Sequence, residues 1–332
     1  MTIYFRQSIM EGNSDNCELK ATNRAIRYND VVAWLESNNF EVIGEGGFGK
    51  IYSDGNCLIK LIKNLDRCRE LEIEKTIYEQ LSGRPPESFP PIEVKIPDFR
   101  LFEKLESFCH FNMMKIYPTI SKWGRCAVND GWGYVQHKVG NNYQCFDAES
   151  GQIITVPSSD VTVVDRPGQL HHFYINEPDV NMRHKLENYQ GILLGLGYLE
   201  RYYGEANIQK FVTEIGKFVS YIMLAYHIVP TDIEIVIGSS SKSDRTPQVY
   251  IYDFNEAGIL DSSTVRELEQ LSVIFANSMF YKNGKKYFPS LGNKYYSYFR
   301  DGFVSVHQDS KSRLLAENIL DVYNLKFTKG RV

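Results

Sequence analysis

The residues best suited to chemistry begin at Gly44-Glu45-Gly46-Gly47-Phe48-Gly49-Lys50, a glycine-rich stretch flanked by apolar runs. A strand, a glycine turn and a second strand let backbone N–H groups close over nucleotide phosphates, with Phe48 capping the turn. Dinucleotide binding would need a helix after the turn, whereas residues 49–53 read as a strand. Taken alone, the stretch also suits a glycine-rich hairpin with no ligand. Lys60 ends the run Cys57-Leu58-Ile59-Lys60, where the next strand would supply a cation for the α and β phosphates of ATP. Glu74 opens the helical run Glu74-Lys75-Thr76-Ile77-Tyr78-Glu79-Gln80-Leu81. It is the carboxylate that would hold Lys60, because Ile77, Tyr78 and Leu81 mark a face for packing on a sheet. Each charge alone also suits a solvated position. Their order and spacing point to a ligand.

A second group of carboxylates lies near residue 240. The apolar run Val249-Tyr250-Ile251-Tyr252 leads into Asp253-Phe254-Asn255, and Asp232 and Glu234 stand at the start of the apolar strand 233–237. Asp232 is the only carboxylate between the long helix ending near Val229 and the strand at Ile233. Its two roles are orienting a substrate hydroxyl as a base or capping a turn, and for Glu234 they are binding a metal or pairing a nearby cation.

Taken in this order, the glycine turn, Lys60, Glu74 and Asp253 resemble the protein-kinase-like superfamily. The resemblance implies that Asp-Phe-Asn stands where kinases carry Asp-Phe-Gly, so that Asp253 would ligate the Mg²⁺ bridging the phosphates. Residues 172–303 are similar to a kinase-like domain of unknown function in fungal proteins. That likeness rests on HFYIN at 172–176, TDIEIVIG at 231–238, YDFN at 252–255 and YFP at 287–289. Together the two resemblances cover most of residues 40–305 outside a strand-rich insert. Two departures stand out. Kinases read H-R-D with an Asn downstream; registering Glu234 on that Asn puts Val229 where the catalytic aspartate belongs, so a shortened loop would have to present Asp232 instead. Only about ten residues separate Asp253 from a helix at Thr264, too few for the platform that binds a peptide. Two functions are therefore expected. One is a divergent kinase-like protein that binds ATP and Mg²⁺ and transfers phosphoryl to a non-peptide or unusual acceptor. The other is a catalytically inactive pseudokinase scaffold that recruits a protein partner through residues 119–167.

The elements that must position these residues give an α+β, two-lobed protein-kinase-like fold with a small inserted β-barrel. Residues 1–28 are polar and aperiodic and read as a loose arm. Residues 29–118 form the first lobe: a helix at 30–38 capped by Asp30, strands at 40–44, 49–53 and 56–62, a helix at 67–81, a Pro-rich connector and strands at 99–102 and 110–117. Residues 119–167 alternate in five short strands and resemble an SH3-like or Tudor-like barrel, with Trp123, Trp132, Tyr134 and Tyr143 as core or as an aromatic groove. Residues 168–332 turn helical, with helices at 182–194 and 208–226, the second stopped by Pro230. Strands at 233–237 and 249–252 follow, then a helix at 264–278 opened by a Thr264 and Glu267 capping box.

Composition sets outer limits. The chain has 332 residues, 43% hydrophobic and 23% charged, with 37 Lys and Arg against 41 Asp and Glu for a net charge of -4. That balance disfavours a nucleic-acid partner. The basic and aromatic residues of 281–288 and 295–300 read as core aromatics and a solvated lysine turn rather than a single-strand surface. No apolar run approaches the ~18 residues of a membrane span. The N-terminus lacks the cationic and apolar pattern of a secretory signal, which points to the cytoplasm, with the nucleus open. The six cysteines have no C-x-x-C pair and read as reduced thiols. The seven histidines, His171-His172 included, read as core or surface residues.

Overall fold

The structure, a computed structural model, describes residues 10–13, 17–21, 26–46, 49–82, 91–117, 122–126, 132–139, 141–147, 153–157, 159, 161–167, 170–176, 192–194, 196–241, 246–261, 267–282 and 284–329. The chain divides into two compact units, residues 1–84 with 96–115, and residues 85–95 with 116–332.

In the first unit, β1 (Met10–Asn13) and β2 (Glu18–Ala21) form an antiparallel hairpin. Cys17 and Ile26 are buried in the same core as Val31, Leu35, Tyr52, Ile59 and Phe108. Within the stretch expected to be a loose arm, these apolar residues of the described part pack into the unit. Helix α1 (Tyr28–Ser37) buries Val31 and Leu35, one turn apart. Asp30 lies inside the helix and accepts the Arg27 N–H at 3.2 Å, so it is not the cap. Then come β3 (Glu41–Gly46), β4 (Gly49–Ser53), β5 (Cys57–Ile62), α2 (Cys68–Ser82), β6 (Phe99–Lys104) and β7 (Cys109–Met114). The sheet is antiparallel in the order β3-β4-β5-β7-β6, which puts β5 at its centre. Helix α2 lays Leu71, Ile77 and Tyr78 in the core, with Tyr78 against Phe111 at 5.5 Å between ring centres.

The cysteines depart from expectation. Cys17 pairs with Cys57 and Cys68 with Cys109 as disulfides, their Cα atoms 5.2 and 5.9 Å apart. For these four cysteines the reduced-thiol reading fails, because the fold brings residues about forty positions apart into bonding reach, which spacing alone does not reveal.

The second unit begins with β8 (Lys122–Cys126), β9 (Trp132–Val139), β10 (Asn142–Asp147), β11 (Ile153–Pro157) and β12 (Val161–Pro167). These form an antiparallel sheet in the order β11-β10-β9-β8-β12. Among the described residues its outer strands, β11 and β12, do not pair, so the expected closed barrel is corrected to a five-stranded sheet. Trp123 lies on β8, Trp132 and Tyr134 on β9 and Tyr143 on β10, and their side chains fall outside the described residues. After β13 (His171–Phe173), β14 (Ile192–Leu194) pairs with it in parallel. That corrects the C-terminal end of the helix expected at 182–194, whose other residues lie outside the described set. Three aliphatic side chains in a row satisfy a buried strand as well as a helix.

Helices α3 (Leu196–Tyr203) and α4 (Glu205–Tyr226) follow. His227, in the left-handed conformation at φ 55°, caps α4, so the helix stops before Pro230 and Ile228–Val229 is free to form β15. Then come β16 (Glu234–Gly238), β17 (Gln248–Tyr252) and β18 (Gly258–Ile259), with sheet order β14-β13-β16-β17 and a separate β15-β18 pair. Lys95 runs beside β17, taking the Ile251 N–H on its carbonyl at 3.0 Å and giving its own N–H to Val249 at 2.9 Å. Helices α5 (Leu268–Phe280), α6 (Gly284–Tyr287), α7 (Tyr296–Ser305) and α8 (Ser310–Lys329) complete the unit. Thr264 lies outside the described residues, and Glu267 flanks α5 without a capping side-chain bond. Helices α4 and α7 cross where side chains vanish: a Cβ on Gly302 would sit 2.1 Å from the Thr213 carbonyl oxygen, and one on Gly216 2.4 Å from that of Phe299. Among the described residues no helix is long and apolar enough to cross a membrane.

Mass mapping of the unreduced chain should recover peptides joined through Cys17 and Cys57 and through Cys68 and Cys109. The double variant Cys68→Ser/Cys109→Ser should lose ~2–4 kcal/mol of stability to denaturant. Free alkylation of all four thiols in the unreduced, denatured chain would contradict the pairing.

Candidate functional site

The glycine turn forms from the β3–β4 hairpin. Its last described pair is Gly46 with Gly49, and Gly47 and Phe48 lie outside the described residues. Gly44 is buried beside an irregularity in the register. Gly49 is glycine for a reason that needs no ligand: its φ is 131°, and a Cβ there would lie 2.3 Å from the Leu61 carbonyl oxygen of β5. The Gly49 backbone thus lies close against the strand that carries Lys60.

Lys60 stands on central β5, opposite Ile51 of β4 and Phe111 of β7. Its ammonium lies 3.2 Å from Glu74 Oε2, and both residues are buried, Glu74 completely. The two residues linked by spacing in the sequence are therefore brought together. Helix α2 presents Glu74 on the face that also buries Leu71, Ile77 and Tyr78, and the Cys68–Cys109 bond ties the start of that helix to β7. Removing two charges from water costs several kcal/mol per ion, and their attraction in a low dielectric offsets this only when the geometry is held.

The second unit gathers its carboxylates at one end of a ladder. Glu234 of β16 pairs with Tyr252 of β17, so Asp232, just before β16, and Asp253, just after β17, lie at the same end. Both are left-handed, with φ 54° and 63°, a conformation that aspartate adopts more readily than most residues. Asp232 Oδ2 lies 3.1 Å from Lys282, whose ammonium also meets Glu256 Oε1 at 2.5 Å. Phe254 anchors the turn after Asp253 in the core. Val229, the residue that the kinase resemblance would register on a catalytic aspartate, is in β15 and pairs with Gly258.

For Glu234, the structure describes partners within the protein. Its Oε2 lies 3.0 Å from His172 Nδ1 and accepts the Tyr287 hydroxyl. Burial pushes the carboxyl up, but the hydrogen bond and charge of His172, the Tyr287 hydroxyl and the Lys286 charge outweigh it, leaving the group below its ordinary value. Tyr174 stacks near this pair, 5.0 Å from the Tyr287 ring and beneath the Lys286 ammonium at 4.9 Å. Among the described residues no three His, Cys, Asp or Glu side chains form a metal-binding group. Mg²⁺ is commonly held by one or two carboxylates with waters and substrate phosphates, so Asp253 remains chemically suited to it. His172, Tyr287, Lys282 and Glu256 escaped the sequence reading. Each is distant in the chain from its partner, and 281–288 carries no local pattern beyond mixed basic and aromatic residues.

Two outcomes follow. Glu74→Gln, which strands the Lys60 charge in the core, should cost ~3–5 kcal/mol, while the double variant Lys60→Met/Glu74→Leu should recover much of that loss. Equal destabilisation in both would contradict a buried pair. For Glu234, whose folded value is depressed, the contribution to stability is present above its unfolded value near 4.5 and is lost as pH falls through the folded one. Denaturant titrations of wild type and Glu234→Gln should therefore differ most at neutral pH and converge in acid. A difference that grows on acidification would contradict the assignment.

Compared with known proteins, the chain matches no family model and no curated protein.

Proposed function

We propose that the chain is a divergent protein-kinase-like phosphotransferase of two-lobed design that binds ATP with Mg²⁺ and transfers phosphoryl to a non-peptide or unusual acceptor. The observation that carries this reading is the buried Lys60–Glu74 pair, on the strand and helix that follow a glycine hairpin. A charge kept in the middle of a sheet supports this reading, because an anion brought to it would give the charge a use beyond its pairing with Glu74. In this reading Lys60 contacts the α and β phosphates and Glu74 holds it in place. The backbone at Gly44, Gly46, Gly47 and Gly49, with Phe48, covers the phosphates. Asp253 is the carboxylate for the metal, which when bound neutralises phosphate charge and aligns the phosphoryl group. Glu234, whose Oε2 meets His172 and Tyr287, would support the metal only through its other oxygen. Asp232 takes the proton of the acceptor hydroxyl or orients it, a role worth typically ~10²- to 10⁴-fold.

A second reading has its own support. Val229, the residue that the kinase resemblance would register on a catalytic aspartate, is committed to the β15–β18 pair, so the chain would be a pseudokinase scaffold that meets a protein partner through residues 119–167.

Thermal denaturation with ATP and Mg²⁺ separates the two. Under the first reading, nucleotide at 100 times its dissociation constant stabilises the wild type by ~2.7 kcal/mol. Asp253→Asn should lose the Mg²⁺-dependent part of that gain while retaining its unliganded midpoint. The absence of any nucleotide effect on the wild type would remove the phosphotransferase reading and leave the scaffold.

A further inference from the structure

Lys282 joins two segments that no local sequence pattern connects. One ammonium meets Asp232, in the loop before β16, and Glu256, in the turn after Asp253. The base candidate is thereby fastened to the segment that bears the metal candidate. The backbone beneath this lysine is unusual. At φ 45° it is left-handed, a conformation that costs a long side chain energy that glycine would not incur. The turn leaves little freedom to relax: Tyr281 ends α5, and a Cβ on Gly284 would lie 2.2 Å from the Met279 carbonyl oxygen. A strained lysine with its side chain directed at two carboxylates marks a position where the side chain matters more than the backbone does. Its hydrogen bond to Glu256 and the neighbouring Asp232 keep the group cationic. The side chain is 40% exposed, so the clamp faces solvent on one side.

We infer that Lys282 is a positioning residue for phosphoryl transfer, clamping the Asp232 carboxylate in its working direction relative to the Asp253 turn. The inference rests on the phosphotransferase reading and deepens it. In the step concerned, the acceptor O–H proton passes to Asp232 and the acceptor oxygen bonds the γ-phosphorus. The bond from that phosphorus to the bridging oxygen breaks, and its electron pair leaves with ADP. A carboxylate approaching the phosphates is repelled by them, and a cation bonded to that carboxylate reduces the repulsion without occupying the acceptor's place. Glu256 holds the cation from its far side.

The test uses the full chain, with ATP·Mg²⁺ binding measured by calorimetry and ADP release measured as turnover. Lys282→Met should lower kcat by ~10²-fold with little change in KM for ATP, and Lys282→Arg should restore most of it. Lys282→Gly relieves the backbone and should keep or raise the thermal midpoint while losing turnover as Met does, a split that a purely structural lysine would not give. Because the two residues act as a unit, Asp232→Asn/Lys282→Met should be no slower than Asp232→Asn alone. Unchanged kcat in Lys282→Met, or turnover that falls only in step with the thermal midpoint, would overturn the inference. A wild type that binds ATP·Mg²⁺ without turnover would overturn it too, while sparing the nucleotide site. A wild type that binds no ATP would overturn both.

Discussion

Two opposite charges held out of water between β5 and α2 set the tightest electrostatic constraint in the first unit. An ammonium and a carboxylate are tolerated there only if strand and helix keep their spacing to within a hydrogen bond, since a lost partner leaves a naked charge in a low dielectric. The surrounding features serve that end. β5 is central and hydrogen-bonded on both sides, and α2 has three large apolar side chains on the face that carries Glu74. One disulfide pins the start of the helix to β7, and the other pins the strand to the N-terminal hairpin. Gly49 lets its own backbone lie close against β5 without a side chain in the way. Such a pair contributes little net stability against an apolar replacement, so its presence argues for a use of the charge rather than for strength of the fold.

The second unit applies a different constraint to a similar end. Helices α4 and α7 cross through Gly216 and Gly302, where backbone meets backbone, and the four-stranded sheet carries Glu234 and Tyr252 opposite one another. Acidic residues collect at one end of that ladder, and cations or donors hold three of them. Glu234 rests on His172 and Tyr287, and Asp232 and Glu256 share Lys282. Left-handed backbone at Asp232, Asp253 and Lys282 concentrates strain in the same neighbourhood.

Where a feature depended on neighbours in sequence, it was legible there. The alternating runs on either side of Gly46, the apolar face of 71–78 and the 233–237 and 249–252 strands need only local periodicity, and the mixed α and β character follows from them. The Lys60–Glu74 contact was within reach because strand and helix are consecutive. What depended on distant residues was hidden. No spacing rule pairs Cys17 with Cys57, His172 with Glu234, or Lys282 with Asp232. The 192–194 run was misassigned for a local reason, since short aliphatic runs suit either secondary structure; α4 ends at Tyr226 as expected, but a left-handed histidine rather than proline caps it. Helices α7 and α8 went unassigned because their aromatic and charged residues mask the apolar periodicity that Phe299, Phe303, Ile319 and Tyr323 provide in the core.

The central claim is that the Lys60 charge serves nucleotide phosphates, and a direct measurement is affinity labelling with an acyl-phosphate derivative of ATP, which delivers its acyl group to a lysine beside the phosphates. After digestion, mass spectrometry should find the label on Lys60, and excess ATP with Mg²⁺ should protect that residue while leaving exposed lysines such as Lys210 and Lys294 at their background level. Labelling confined to exposed lysines, or Lys60 labelling that ATP does not suppress, would contradict the account.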